Sequence, residues 1–304
     1  MKNIERVCLV TGATSGIGLA SAARMAQAGF GVVLVGRNET RARAAAQHVR
    51  GAAPAARVEY LLADLSSVAD TRRLAAEFAR RHSRLDVLIN DAGGIFSRRA
   101  ITCEGLEYTF ALNHMSYFVL TTSLLGMLHA TGNARVVNVA SDLHRKGKLC
   151  LDDLQLEQGY SALRAYNQSK LANVLFTAEL ARRLVGSRVT ANCLHPGVVA
   201  TGFGHNNRGL IKWYVSLTRR FLLTPEAAAA TPVYLATSPE VAGVSGKYFQ
   251  DCTSVPASEQ AGDVELARRL WERSSELCDA ISPPRVTLRP PLSLRPSASI
   301  RSVA

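Results

Sequence analysis

Short apolar runs alternate with longer amphipathic stretches along most of the chain. The segments "RVCLVTG" at 6–12, "GVVLVGR" at 31–37, "RVEYLLAD" at 57–64, "LDVLIND" at 85–91, "ARVVNVAS" at 134–141 and "RVTANCLHPG" at 188–197 are apolar at nearly every position. Strands covered on both faces read this way, because neither face meets water. Between them lie Ala-, Arg- and Glu-rich segments such as "SAARMAQA" at 21–28, "ETRARAAAQHVR" at 39–50 and "VADTRRLAAEFARRH" at 68–82, with apolar residues at helical spacing. The alternation predicts βαβ units, hence a parallel sheet with helices on both faces. It stops near residue 281. From there "SPPRVTLRPPLSLRPSASIRSVA" at 282–304 holds five of the chain's eleven prolines and is expected to be a disordered Pro/Arg-rich tail behind one large domain at 1–281.

Composition narrows the picture. With 304 residues, 47% of them hydrophobic and 20% charged, the chain can bury a full core as one α/β domain. Its six cysteines are scattered without a C-x-x-C pair, and "MKNIERVCLVTG" shows no secretory leader, so reduced thiols and a cytoplasmic location are expected. The seven histidines lack metal-ligand spacing, and no metal is expected. The apolar run "MSYFVLTTSLLGML" at 115–128 is too short for a bilayer span of roughly 20 residues and reads as a buried helix. Net charge is +12, with four arginines and no acid in the tail, so the body is basic without it. No clustered basic stripe with interleaved aromatics appears, and nucleic acid is not an expected partner.

A parallel sheet binds ligands at the carboxyl ends of its strands. The first apolar run leads directly into "TGATSGIG", which places Gly12, Thr14, Ser15, Gly16, Ile17 and Gly18 in a turn that opens a helix. Glycine lets a backbone approach a phosphate, and the new helix offers unpaired N–H groups to the anion. Strand, turn and helix together favour a nucleotide site over a structural turn.

The spacing is T-G-x-x-x-G-x-G. With "DLS" at 64, "NDAG" at 90, Asn113, Ser141, "YNQSK" at 166, "HPGVVAT" at 195 and "GVSGKYFQDC" at 243, the chain resembles the short-chain dehydrogenase/reductase family, and in detail its retinol dehydrogenase-like branch. The resemblance spans about residues 4–280. It implies a Rossmann-type doubly wound sheet of about seven strands, a nicotinamide cofactor, a small-molecule carbonyl or alcohol substrate, and a catalytic group at Asn113, Ser141, Tyr166 and Lys170. By the same resemblance Lys170 holds the nicotinamide ribose, Asn113 bends its helix and holds a relay water, and Asp64 and Leu65 border the adenine. Asn90, Ala92 and Gly93 match the family's N-N-A-G turn beside it, from which Asp91 departs. Pro196, Gly197, Val199 and Thr201 match the segment that holds the nicotinamide carboxamide. The helices bearing Asn113 and Tyr166 pair across a homodimer interface in such proteins.

Physical chemistry gives the catalytic pair its own rationale. Residues four apart share a helix face, so Tyr166 and Lys170 point to one side. A positive charge about 4 Å away at an effective dielectric of about 20 is worth roughly 4 kcal/mol to a phenolate, and would lower a phenol's pKa by up to ~3 units. Ser141, at the end of an apolar run, can donate to a substrate oxygen, or serve as an N-cap. After the second strand NAD-selective sites carry an acid, whereas this chain has Arg37, which suits a 2′-phosphate and predicts NADP(H) over NAD(H).

Substrate choice is less legible. The 23 residues "DLHRKGKLCLDDLQLEQGYSALR" at 142–164 lengthen the interval between Ser141 and Tyr166, and are expected to border the substrate. The segment at 206–223, apolar and aromatic with interspersed basic residues, reads as a packed helix pair or as a greasy lid that admits a lipophilic aldehyde or ketone at a membrane surface. The expected activity is hydride transfer between NADP(H) and a carbonyl or alcohol. The rivals are a C=C reductase on the same scaffold and a nucleotide-sensing regulator without turnover.

Overall fold

The structure, a computed structural model, describes residues 6–198 and 223–281. The expected tail at 282–304 and nearly all of the expected lid at 206–223 lie outside the described residues. Six of the apolar runs form parallel strands: β1 (Val7–Val10), β2 (Gly31–Gly36), β3 (Val58–Leu62), β4 (Val87–Asn90), β5 (Arg135–Val139) and β6 (Thr190–His195). A seventh, β7 (Tyr248–Gln250), continues the parallel sheet, and an eighth, β8 (Thr253–Val255), folds back on it antiparallel. The order across the sheet is β3-β2-β1-β4-β5-β6-β7-β8.

Alternation along each strand sends its side chains into two separate cores. In β1, Val7 and Leu9 join one layer while Cys8 and Val10 join the other, and in β2 Val33 and Val35 part in the same way from Val32 and Leu34. The first layer is completed by helices α3 (Val68–Arg81), α5 (Ser116–Thr131), α6 (Ala162–Arg183) and α9 (Val264–Ala280), through Phe78, Leu124, Leu175 and Leu270. The second is completed by α1 (Gly16–Gln27), α2 (Glu39–Ala52) and α8 (Ala230–Thr237), through Met25, Val49 and Leu235. Burial on both faces is why the strands read as unbroken apolar runs. Two short helices, α4 (Tyr108–Phe110) and α7 (Pro225–Ala228), are the remaining α-helices among the described residues. No helix among the described residues is long and apolar enough to cross a membrane.

The chain runs outward from β1 to β3 and then returns to place β4 against the other side of β1. Connections therefore leave β1 and β4 for opposite faces, which opens a crevice beyond their carboxyl ends. Thr11 and Asp91 sit at that point. Thr11 Oγ1 accepts the N–H groups of Asp91 at 3.0 Å and Ala92 at 3.1 Å, which fastens the two strand ends together.

Candidate active site

The glycine turn closes the crevice on one side. Gly12 has φ +66°, and a Cβ on it would stand 2.9 Å from Ala92 N; one on Gly18 would stand 2.6 Å from Gly12 O. Both positions exclude a side chain, and the turn lies flat on the end of β4 as a result. The helix it opens is unlike its neighbours. Asn38, Ser67, Ser161 and Asp263 each cap their own helices with a side-chain acceptor, whereas Ser15 makes no such bond and the first turn of α1 carries no acid. Asp91 accepts the Gly18 N–H, but Ser15 leaves the rest of this helix start without a side-chain cap toward the crevice, which suits an anion and fits the pyrophosphate of a dinucleotide.

Arg37 follows β2 at the far end of the crevice. Its guanidinium donates to Tyr108 Oη at 2.9 Å and lies 3.7 Å from Asp64 Oδ2, with two thirds of the side chain exposed. Asp64 Oδ1 also accepts from the N–H and hydroxyl of Ser66, so it stiffens its own turn, while Leu65 is buried in the first core layer. A second guanidinium, not foreseen from the sequence, reaches the same place: Arg41 contacts Ser15 Oγ at 3.4 Å. The signal for it was a cation in the first turn of α2, where the helix dipole disfavours positive charge. Thr14 packs against Gly36, where a Cβ would meet its methyl carbon at 2.4 Å.

Asn90 is spent inside the protein. Its amide donates to Thr121 Oγ1 at 3.1 Å and to Asn138 Oδ1 at 2.9 Å, and the residue has no exposed surface, so its side chain is not offered to a ligand. Gly93 stands beside the catalytic candidates, where a Cβ would be 3.1 Å from Asn113 Oδ1 and 3.6 Å from Lys170 Nζ. Pro196 and Gly197 follow β6 at the same sheet edge, and Val199 and Thr201 lie outside the described residues.

Asn113 sits in a π-helical segment, Ala111–Met115, between α4 and α5. One inserted residue in a helix breaks its ladder locally, and such segments often mark functional sites. The expected bend is therefore present as a π segment. The Asn113 side chain exchanges two hydrogen bonds with Gly94, at 2.9 Å each, and donates to Ser169 Oγ at 2.9 Å, while the Asn113 main-chain carbonyl accepts from Asn173 Nδ2 at 2.9 Å.

Ser141 follows β5 and takes the N-cap role the sequence allowed. It accepts from Leu143 N at 3.3 Å, capping a 3₁₀ turn over Asp142–Lys146, and its hydroxyl is hydrogen-bonded to Tyr166. His144 fastens that turn. Its Nδ1 faces Ser141 O at 2.7 Å and its Nε2 accepts from Ser258 N at 3.1 Å, which fixes the neutral Nδ1–H tautomer; burial lowers its pKa in the same sense. The long interval before Tyr166 is sewn down elsewhere too: Tyr160 Oη donates to Phe96 O at 2.8 Å, and Glu107 N to Gln155 Oε1 at 2.6 Å.

Tyr166 and Lys170 share the buried face of α6 as the spacing requires, but the electrostatics differ from the expectation. Burial pushes the Tyr166 phenol up to about 12; the Ser141 hydrogen bond works against that rise, and Asp91 adds to it. Lys170 is itself lowered to about 8 by burial, opposed by Asp91. Its ammonium donates to Val139 O at 2.9 Å and stands 5.7 Å from the centre of the Tyr166 ring. A charge directed at a carbonyl and weakened by burial does not deliver the 4 Å Coulomb gain read from the sequence. A cavity of about 610 Å³ between α6, β7 and α9, bordered by Tyr248 and Ser258, contains none of these residues.

The family model of the short chain dehydrogenases matches residues 6–209. Retinol dehydrogenase 14 of Mus musculus is 40% identical over 288 residues, covering 88% of this chain and 84% of its own. Polyprenol dehydrogenase of Homo sapiens is 36% identical over 284 residues, covering 90% and 85%. Among solved structures, a putative uncharacterized protein from Mycobacterium Paratuberculosis superposes with TM-score 0.74 at 32% identity, covering 90% of this chain and 93% of that one. A putative short chain dehydrogenase from Shigella flexneri, complexed with NADP, superposes with TM-score 0.63 at 25% identity, covering 80% and 95%.

Proposed function

The chain belongs to the short chain dehydrogenase family, and from that premise we propose that it is an NADP(H)-dependent oxidoreductase interconverting a lipophilic aldehyde or ketone and its alcohol. The observation that carries the reading is the meeting of Tyr166 with Ser141 at the crevice, with Lys170 one helical turn behind.

The turn of Gly12, Thr14, Ser15, Gly16, Ile17 and Gly18 would receive the pyrophosphate, and Asp64, Leu65, Ala92, Gly93 and the main chain of Asn90 would flank the adenosine. Pro196 and Gly197, continued by Val199 and Thr201, would take the nicotinamide end. Bound there, the cofactor supplies the hydride for reduction or accepts it in oxidation. Arg37 and Arg41, with no acid directly after β2, support a 2′-phosphate and hence NADP(H).

Ser141 accepts Leu143 N–H and is hydrogen-bonded to Tyr166, so its hydroxyl lies beside the phenol, where with Tyr166 it would donate to a substrate oxygen. Tyr166 gives that oxygen its proton in reduction and takes it back in oxidation. Lys170, whose ammonium donates to Val139 O, would hold the ribose hydroxyls. Asn113 ties the Gly94 backbone to α6 and so fixes the separation of the turn after β4 from Lys170. Retinol and polyprenol, in the names of two relatives, are lipophilic alcohols, and support the same substrate class.

The test is NADPH oxidation, followed optically with aldehydes and ketones of increasing chain length. Tyr166→Phe is expected to lower turnover by about 10²–10⁴-fold while NADPH binding is kept. Binding without turnover of any carbonyl would favour a sensor, reduction of a conjugated C=C bond would favour an alkene reductase, and preference for small polar carbonyls would remove the lipophilic assignment.

A further inference from the structure

The turn that begins at Ser141 is anchored on two sides. Gly147, at its exit, lies flat on α6, where a Cβ would stand 2.6 Å from the carbonyl of Asn167, the neighbour of Tyr166. On the other side Arg145 donates to Pro256 O at 2.7 Å, and the fully buried His144 spans Ser141 O at 2.7 Å and Ser258 N at 3.1 Å. Ser258 lies 114 residues beyond His144, in the connection between β8 and α9.

Only the neutral imidazole with its proton on Nδ1 makes both bonds. An imidazolium donates from both nitrogens, so its Nε2–H would be set against the Ser258 N–H. The ring packs on Tyr248 from β7, with centroids 4.7 Å apart, and burial keeps that phenol neutral. Burial also holds His144 below its ordinary 6.5; Arg145 on the same turn and His195 at the end of β6 act in that sense, while the Ser141 bond and Asp142 oppose it. From α6 the turn meets Asn167 and Leu171, which carry no charge.

Resting on the reading of Ser141 and Tyr166 above, we propose that His144 is a positioning residue: its imidazole ties the main chain of Ser141 to the β8–α9 connection and so holds the Ser141 hydroxyl beside the Tyr166 phenol. The hydroxyl's own bond to Leu143 N, at 3.3 Å, is long and stays within the turn, so it cannot fix the turn against the rest of the domain. Protonation of His144 breaks the bond from Ser258 and loosens the turn. Turnover therefore falls along an acid limb, which lies below 6.5 because the folded protein disfavours the imidazolium.

Two variants test the proposal from opposite ends of the tie. His144→Asn keeps a donor for Ser141 O but neither reaches Ser258 nor titrates; it is expected to lower kcat for carbonyl reduction by about 10- to 100-fold, leave the Michaelis constant for NADPH near that of the parent, and abolish the acid limb. Ser258 has φ −68°, which a proline ring accepts, and its hydroxyl has no partner among the described residues, so Ser258→Pro removes the N–H that His144 accepts and no other hydrogen bond. It is expected to move the acid limb to higher pH, because a bond to the neutral imidazole is lost. The Tyr166 signal of dinucleotide-free protein carrying 3-fluorotyrosine, assigned among eight tyrosines by its loss in Tyr166→Phe, reads the same event without turnover. Its shift should show a step at the His144 midpoint that His144→Asn lacks, Asp91 contributing equally to both proteins. A purely structural His144 would lower the melting temperature of both variants and leave the acid limb and the Tyr166 step in place, and that result would overturn the proposal. Absence of carbonyl turnover would count against the oxidoreductase assignment, and the Tyr166 step would still decide for or against His144.

Discussion

Arg37 and Arg41 present two guanidinium groups to one end of the crevice, and their surroundings give them unequal weight. Arg37 is held by Tyr108 and Asp64, whereas Arg41 touches Ser15 at the lip of the glycine turn. A charge-assisted hydrogen bond to a phosphate contributes roughly 1.5–3 kcal/mol. Arg37→Ala should therefore raise the Michaelis constant for NADPH by about 10- to 100-fold and that for NADH by much less, while Arg41→Ala should show a smaller effect of the same sign. Steady-state kinetics with both cofactors decides it, and equal effects on NADPH and NADH would refute a 2′-phosphate site. Arg37 was legible because it replaces an acid at a known place after a strand. Arg41 was not, because its relevance depends on α2 leaning toward the start of α1, which no spacing within α2 states.

At the scale of elements, the π segment is held by a histidine that the catalytic motifs do not include. His114 is fully buried between α5, α6 and α9, with Nδ1 toward Asn173 Oδ1 at 3.4 Å and Nε2 toward Ser274 Oγ at 3.0 Å. Asn173 uses its amide nitrogen on Asn113 O, so its oxygen must accept from His114 Nδ1–H, and Nε2 must accept from the serine hydroxyl. Burial lowers the His114 pKa to about 4 from an ordinary 6.5. The unfolded chain then binds the extra proton, so the contribution is complete above pH ~6.5 and is lost as pH falls toward about 4. The full loss is roughly 3 kcal/mol at about 1.36 kcal/mol per unit. Chemical denaturation of His114→Gln between pH 7 and 4.5 should give a flatter profile than the parent chain. A parallel pair of curves would dismiss His114 as the titrating group. The apolar run at 115–128 placed α5, yet not the extra residue that makes the π segment, since a shift of one position leaves the apolar pattern intact. The β7–β8 hairpin was equally hidden: its turn residues Asp251 and Cys252 have φ 49° and 60°, and cysteine is not a residue that announces such a turn.

For the whole molecule, closure of the first core layer depends on α9, whose end is tied back to α3. Arg72 donates to Ile281 O at 2.9 Å and to Cys278 O at 2.8 Å, satisfying carbonyls that the helix itself leaves open. The last described helix is thus tied back to the body at residue 281. Truncation after Ile281 is expected to leave melting temperature and NADPH oxidation unchanged, whereas Arg72→Ala should cost about 1–3 kcal/mol in denaturation; a truncated protein that melts markedly lower would place stabilising contacts in 282–304. The doubly wound order and the grouping of Asn113 and Ser141 with Tyr166 and Lys170 were implied only by the family resemblance; the sequence by itself determined the parallel sheet with helices on both faces, the glycine turn and the shared helix face of Tyr166 and Lys170. Those depend on burial of alternate faces and on spacing along one strand or helix, which are local and periodic. Only the tertiary structure decided which groups face one another: Arg41 beside Ser15, Asn90 inward, Asp91 set against the Gly18 backbone at the start of α1, and a phenol raised rather than lowered. Charge and burial at those points come from elements far apart in the chain, and dielectric and distance are properties of the packed molecule that no linear pattern encodes.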